Sequence, residues 1–157
     1  MTYADWQEFA DPATEFILSL ADLRPAQVVS WQDGRIGRDI VDLLIGRLVM
    51  GLEDQKDDCS EWLEETKPNE EDDPCPIFCE ESLNRLATSI GGKKILPHLS
   101  EIVQALLKAP EWRCRYSALI AIGSVADAFL DDLKPVLPTV VSIILPAARD
   151  QHPRVRH

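Results

Sequence analysis

The sequence predicts an all-α solenoid, a stack of paired helices, on three observations. The first is an internal repeat at a spacing of 41 residues. Leu96-Pro97 returns as Leu137-Pro138, Ile102-Val103 as Ile143-Ile144, Lys108 as Arg149, and Arg113-Cys114-Arg115-Tyr116 as Arg154-Val155-Arg156-His157. The second is apolar residues recurring three and four apart over most of the chain, the signature of one helix face. The third is composition: 45% apolar residues suffice for a core, while aromatics are only 6% and the 157 residues suit one domain. A period near forty means helical pairs, each unable to bury its own apolar stripe without neighbours above and below.

Taken in order, residues 4–23 place Trp6, Phe9, Ala13, Phe16-Ile17 and Leu20 on one helical face and end at Leu23-Arg24-Pro25, where proline turns the preceding residue away from helix. This segment reads as the second helix of a repeat whose first helix is missing. A loop through Gln32-Asp33-Gly34 follows, with Gly34 and Gly37 as turn and breaker signals. Ile36 to Leu52 is a first helix, with Ile40, Leu43-Leu44, Leu48 and Leu52 on its dry side and Arg38, Asp39, Asp42 and Arg47 on its wet side. Its partner, Phe78 to Ile90, closes at Gly91-Gly92.

The next pair is Leu96 to Lys108, with Pro97 tolerated in the opening turn, and Trp112 to Phe129, with a stripe of Trp112, Tyr116, Leu119-Ile120, Ile122 and Val125-Ala126. Val136 to Arg149 is a last first helix, apolar on nearly every side, and residues 150–157 only begin its partner. The expected organisation is one HEAT-type segment over residues 1–157, with a half repeat at 4–23, repeats at 36–90 and 96–129, and an incomplete repeat at 136–157. A terminal repeat normally carries a polar capping face. None is evident, so self-association through the uncapped last helix is expected.

Charge is concentrated between the two helices of one repeat. Residues 53–73 hold eleven acids against Lys56 and Lys67, a net of −9 within a chain of net −11. Such density keeps a segment solvated and projects a field over a Debye length of about 8 Å at physiological salt. The overall balance argues against nucleic-acid or anionic-membrane surfaces, both of which need a basic face. The longest apolar run, Val136 to Ala148, is too short to cross a bilayer and contains Pro138 and Pro146. The N-terminus lacks the basic and apolar regions of a secretory signal, so a soluble chain is expected. Cys59, Cys75, Cys79 and Cys114 form no paired C-x-x-C framework, which suits reduced thiols in cytosol or nucleus.

Leu83 to Pro97 (L-N-R-L-A-T-S-I-G-G-K-K-I-L-P), Trp112 to Gly123 (W-R-C-R-Y-S-A-L-I-A-I-G) and Asp150 to Arg156 (D-Q-H-P-R-V-R) resemble the middle of a nuclear transport receptor of the importin-β (karyopherin-β) family, nearest its importin-β3 branch. The resemblance implies a receptor that carries basic-signal cargo from cytoplasm to nucleus, releases it there when Ran in the GTP form binds the receptor, and meets nuclear pore proteins. It implies no cofactor. By the same resemblance the acidic segment contributes Trp62, Glu64, Glu65, Glu70, Glu71, Asp72 and Asp73 to contacts with cargo and Ran. The HEAT consensus further implies a ladder between an Asp in the turn and an Arg opening the second helix. Asp150 with Arg156 fits, and Arg115 supplies the arginine of the preceding repeat, where Ala109 replaces the aspartate.

The residues leave other readings open. Segment 53–73 is either an electrostatic docking element or a solvated spacer. It lacks the alternating ligands and central glycine of an EF-hand loop. Trp62 is either a partner anchor or folds back on its own solenoid. Cys75 and Cys79, with Cys59, have a spacing open to zinc but no fourth ligand, so structural thiols are expected. Arg113, Arg115, Arg154 and Arg156 recur at matching repeat positions and read as internal pairing rather than a phosphate patch. No nucleophile elbow, Gly-rich phosphate loop or H-E-x-x-H helix occurs, which favours a binding protein over an enzyme. A HEAT scaffold with no Ran dependence, or a truncated product without independent activity, are the alternatives.

Overall fold

The computed structural model describes residues 3–52 and 74–156, with side chains at 11–32, 34–52, 77–131 and 134–156. Helix α1 spans Tyr3–Leu23, α2 Pro25–Ser30, α3 Arg35–Met50, α4 Pro74–Ile90, α5 Gly92–Leu106, α6 Trp112–Ala126, α7 Leu130–Leu133, α8 Leu137–Ile144 and α9 Pro153–Arg156, with 3-10 turns at Trp31–Gly34, Lys134–Val136 and Leu145–Arg149. Helices α1, α4 and α6 lie side by side in one layer, and α3 and α5 form the second layer against them. Among the described residues there is no strand. This is the stack of antiparallel pairs that the repeat predicts.

The chain breaks where local chemistry requires it. Arg24 leaves the helical region before Pro25, at φ −142° and ψ 56°, and the proline ring then opens α2 from its first position. The loop expected over residues 24–35 is therefore mostly helical: a helical turn, then a 3-10 turn that ends on Gly34 at φ +84°. Gly34 separates α2 from α3, but Gly37 lies inside α3 and breaks nothing. Gly91, at φ +90° and ψ 146°, separates α4 from α5. Gly92 consequently opens α5 instead of closing α4, and Pro97 falls at its sixth residue, beyond the opening turn where it was expected. At that depth a proline forfeits one helical hydrogen bond to the carbonyl of Lys93.

One core runs through the stack, from Leu18 and Ala21 of α1 through Leu44 and Leu48 of α3, Leu83 and Leu86 of α4, Leu99 and Val103 of α5, to Ala118, Ala121 and Val125 of α6 and Phe129 beyond it. Two helices are rotated relative to the sequence expectation. In α1 the buried stripe is Thr14, Leu18 and Ala21, while Phe16 is exposed; the side chains of Trp6 and Phe9 lie outside the described residues. In α6 the buried positions are Trp112, Ser117, Ala118, Ala121 and Val125, with Tyr116, Leu119, Ile120 and Ile122 only half-buried. Small residues dominate because α6 meets α4, α5 and α3 at once, and short side chains let helices approach closely.

Arg47 is the largest departure. Placed on the wet side by its charge, it is 1% exposed. Its guanidinium is ion-paired with Asp11 of α1 and lies 5.1 Å from the centre of the Phe78 ring of α4. A buried charge is tolerated when paired, and here it ties three helices together.

The last first helix is also altered. Residues 136–149 are not one helix: Pro138 sits in the first turn of α8, and a 3-10 turn carrying Pro146 ends it. None of its residues is buried. Val136, Leu137, Val141 and Leu145 are between 42% and 65% exposed. An open apolar cavity of about 320 Å³ separates Val136, Val140 and Ile143 from Leu96, Leu99 and Val103 of α5.

Candidate binding surface

The acidic residues singled out by the sequence, Glu64, Glu65, Glu70, Glu71, Asp72 and Asp73, lie outside the described residues, as do Trp62 and Cys59. The positions that flank segment 53–73 are described. Leu52 is buried, and its carbonyl accepts a hydrogen bond of 2.8 Å from Nε of Arg113 at the start of α6. On the far side, Phe78 of α4 lies against Arg47 of α3. The root of the acidic segment is thus fastened to the following repeat.

Arg113 belongs to a cluster at the turn edge of the stack. Trp112 is buried and stacks flat on His152, with ring centres 4.0 Å apart and planes 3° from parallel. Arg113 and Arg154 lie over the same indole at 4.8 and 5.8 Å. Beside it the structure brings Arg115 and Asp150 together. Nε and Nη2 of Arg115 donate to the two Asp150 oxygens at 2.6 and 2.8 Å, and Nη1 donates to the carbonyls of Ala109 and Pro110 at 2.9 and 2.6 Å. The carbonyl of Ala109 thus accepts from the arginine where its side chain offers no carboxylate. Arg156 reaches Asp150 only through backbone, donating to the carbonyls of Asp150 and Gln151 at 2.7 and 2.9 Å. Asp150 also accepts the His152 amide at 2.8 Å, which starts α9. The hydrogen bonds from Arg115 hold the Asp150 carboxyl below the usual carboxylate range.

The layer of second helices presents its own open face. In α4, Ile77, Glu81, Asn84 and Thr88 are exposed at spacings of four, three and four, opposite the buried Cys79, Leu83 and Leu86. Burial pushes the Glu80 carboxyl above its usual range, and the neighbouring Glu81 adds repulsion. Between α1 and α4, Arg85 donates to Asp22 at 2.7 Å and to Glu15 at 2.5 Å. Ser89 also donates to Asp22, and this hydrogen bond, then Arg85, lowers the Asp22 carboxyl. These acids were not singled out from sequence. The signal was present in Glu80-Glu81, but only the position of α4 between α1 and α6 shows which side is open.

Cys79 is buried and Cys114 half-buried, and among the described residues no group of His, Cys, Asp and Glu is placed to hold a metal. No described helix is long and apolar enough to cross a membrane.

Comparison with known proteins follows the same lines. No protein-family profile matches the chain. Importin subunit beta-3 of Saccharomyces cerevisiae is 30% identical over 101 residues, which is 64% of this chain and 9% of that protein. Transportin-1 of Oryza sativa subsp. japonica is 31% identical over 72 residues, 44% of this chain and 8% of that protein. Solved structures of Kap121p, bound to Nup53p or to RanGTP, superpose on 93% of this chain with a TM-score of 0.84 at 26% identity. The chain is similar to karyopherin-β proteins in sequence over part of its length and in fold over most of it. It spans about a tenth of these curated karyopherins and 14% of the Kap121p chain.

Proposed function

We propose that the chain is the segment of a nuclear import receptor that contacts basic cargo and Ran, and that residues 53–73 are its electrostatic docking element. The observation that carries this reading is the net charge of −9 confined to the 21 residues of segment 53–73, in a chain similar to importin subunit beta-3. Glu81 on the open stripe of α4, with the half-buried Glu80 beside it, adds the same sign of charge on this layer of helices. A basic localisation signal would gain from both, since opposite potentials speed encounter and fix register. Related karyopherin structures hold RanGTP, Nup53p or Pho4p, which supports Ran, nuclear pore proteins and cargo as partner classes. The corresponding site of action is the cytoplasm and nucleus, and the activity is binding rather than catalysis.

The test is titration of a lysine-rich localisation-signal peptide into the full chain and into a chain lacking residues 53–73, at several salt concentrations. Deletion should weaken binding about tenfold and flatten its salt dependence. Unchanged affinity would remove the segment from the mechanism. Capture of a fixed partner with no difference between the GTP and GDP forms of Ran would favour a scaffold instead.

A further inference from the structure

A second charged surface lies at the other end of α3. The first helices α3 and α5 run side by side, and their N-terminal halves bound an open groove of about 450 Å³. Its apolar wall is Val41, Ile90 and Ile95, and its polar rim is Arg38, Lys94 and His98. His98 is already engaged, with Nε2 at 2.8 Å from the Asp42 carboxylate. Arg38 and Lys94 are exposed, and neither has an ion pair with another described residue. Arg35 and Lys93 occupy the first turns of the same two helices, so four cations collect at this edge, with Asp39 and Asp42 the acids on α3 beside them. Leu52, where the acidic segment departs, is fourteen residues along from Arg38, which is roughly 20 Å on a helical rise.

We propose that this groove binds an acidic, leucine-bearing peptide segment of a partner protein, with an apolar side chain against the half-buried Val29 and Ile90, over the buried Val41 and Ile95, and flanking carboxylates on Arg38 and Lys94. Size decides against a lone small anion, which displaces only a few water volumes of roughly 30 Å³ each. The apolar wall adds a demand that a purely charged ligand does not meet. Carboxylates at this edge also face the N-terminal ends of two helices, where negative charge is favoured. The proposal uses no residue of segment 53–73 and stands or falls separately from the cargo reading.

The experiment is fluorescence polarisation of the full chain with a labelled peptide carrying a central leucine pair in a run of glutamates, against a peptide of glutamates alone. The leucine-bearing peptide should bind and the other should bind much less. Arg38→Glu with Lys94→Glu should weaken binding about tenfold or more, and Arg38→Gln with Lys94→Gln should fall between. Both positions are exposed, so a melting temperature within a few degrees of the native chain, expected for surface changes, keeps the comparison valid. Deletion of 53–73 should leave the affinity unchanged or raised. No binding, equal binding of both peptides, insensitivity to the paired substitutions, or loss on deletion of 53–73 would each overturn the proposal.

Discussion

Arg115 uses three nitrogens at once, two on the Asp150 carboxylate and one on the carbonyls that end the preceding turn. Both partners are largely buried, at 17% and 11% side-chain exposure, so removing one leaves the other poorly solvated. Arg115→Ala should lower unfolding free energy by about 2–4 kcal/mol in denaturant titration, and Arg115→Lys should recover only part, because an ammonium lacks the planar fork. The pH dependence has a defined sign. The Asp150 carboxyl titrates lower in the folded chain than its usual value, so its contribution is complete above about pH 4, the unfolded range, and is lost as pH falls through the lowered folded value. The stability gap between the native chain and Asp150→Asn should therefore narrow below about pH 4; a gap constant to pH 2 would assign the pair no role. Arg115 was legible in sequence because it recurs as Arg156, and Asp150 because the HEAT consensus expects an aspartate in that turn, although Ala109 stands at the matching position one repeat earlier. Arg47 was not, because its burial depends on Asp11 and Phe78, which lie 36 and 31 residues away along the chain.

Element boundaries depend on backbone rather than on packing at two glycines with opposite consequences. Nothing lies within 4 Å of a Cβ built at Gly91, yet its φ of +90° with ψ 146° is a region that L side chains avoid. Gly91→Ala should cost about 1–3 kcal/mol from backbone strain alone. Gly123 likewise has open space around it but sits inside α6 with ordinary helical geometry. Gly123→Ala should stabilise by up to about 1 kcal/mol, by reducing unfolded-chain freedom. Thermal unfolding followed by circular dichroism separates the two, and the same sign for both would contradict the assignment. Periodicity located six of the long helical segments but not their faces: Phe16 and Tyr116 read as core from spacing, whereas the stack buries Thr14 and Ser117. Large residues dominate a sequence pattern, while close helix contact selects small ones.

At the scale of the molecule the apolar content is unevenly used. The core ends at Phe129, and Val141 and Leu145 beyond it are 48% and 65% exposed. Val141→Lys with Leu145→Lys should reduce concentration-dependent association in sedimentation while leaving the melting temperature within a few degrees, since neither side chain is buried. Unchanged association would shift attention to Phe16 and Leu23, the other exposed apolar positions at the opposite end of the stack. The repeat period predicted the layers, and charge counting predicted segment 53–73; the open stripe of α4 and the basic groove of α3 and α5 needed three-dimensional neighbours. Helices α3 and α4 pack directly against each other although the insertion separates them in sequence. Arg47 ties α1, α3 and α4 together, and Arg113 holds the Leu52 carbonyl at the end of α3. Loop-closure entropy grows only logarithmically, about 0.6 kcal/mol per doubling of length. The pairing of α3 with α4 therefore constrains the number of residues between them only weakly through chain entropy, which leaves that spacing open to divergence among descendants that keep the same two-helix contact.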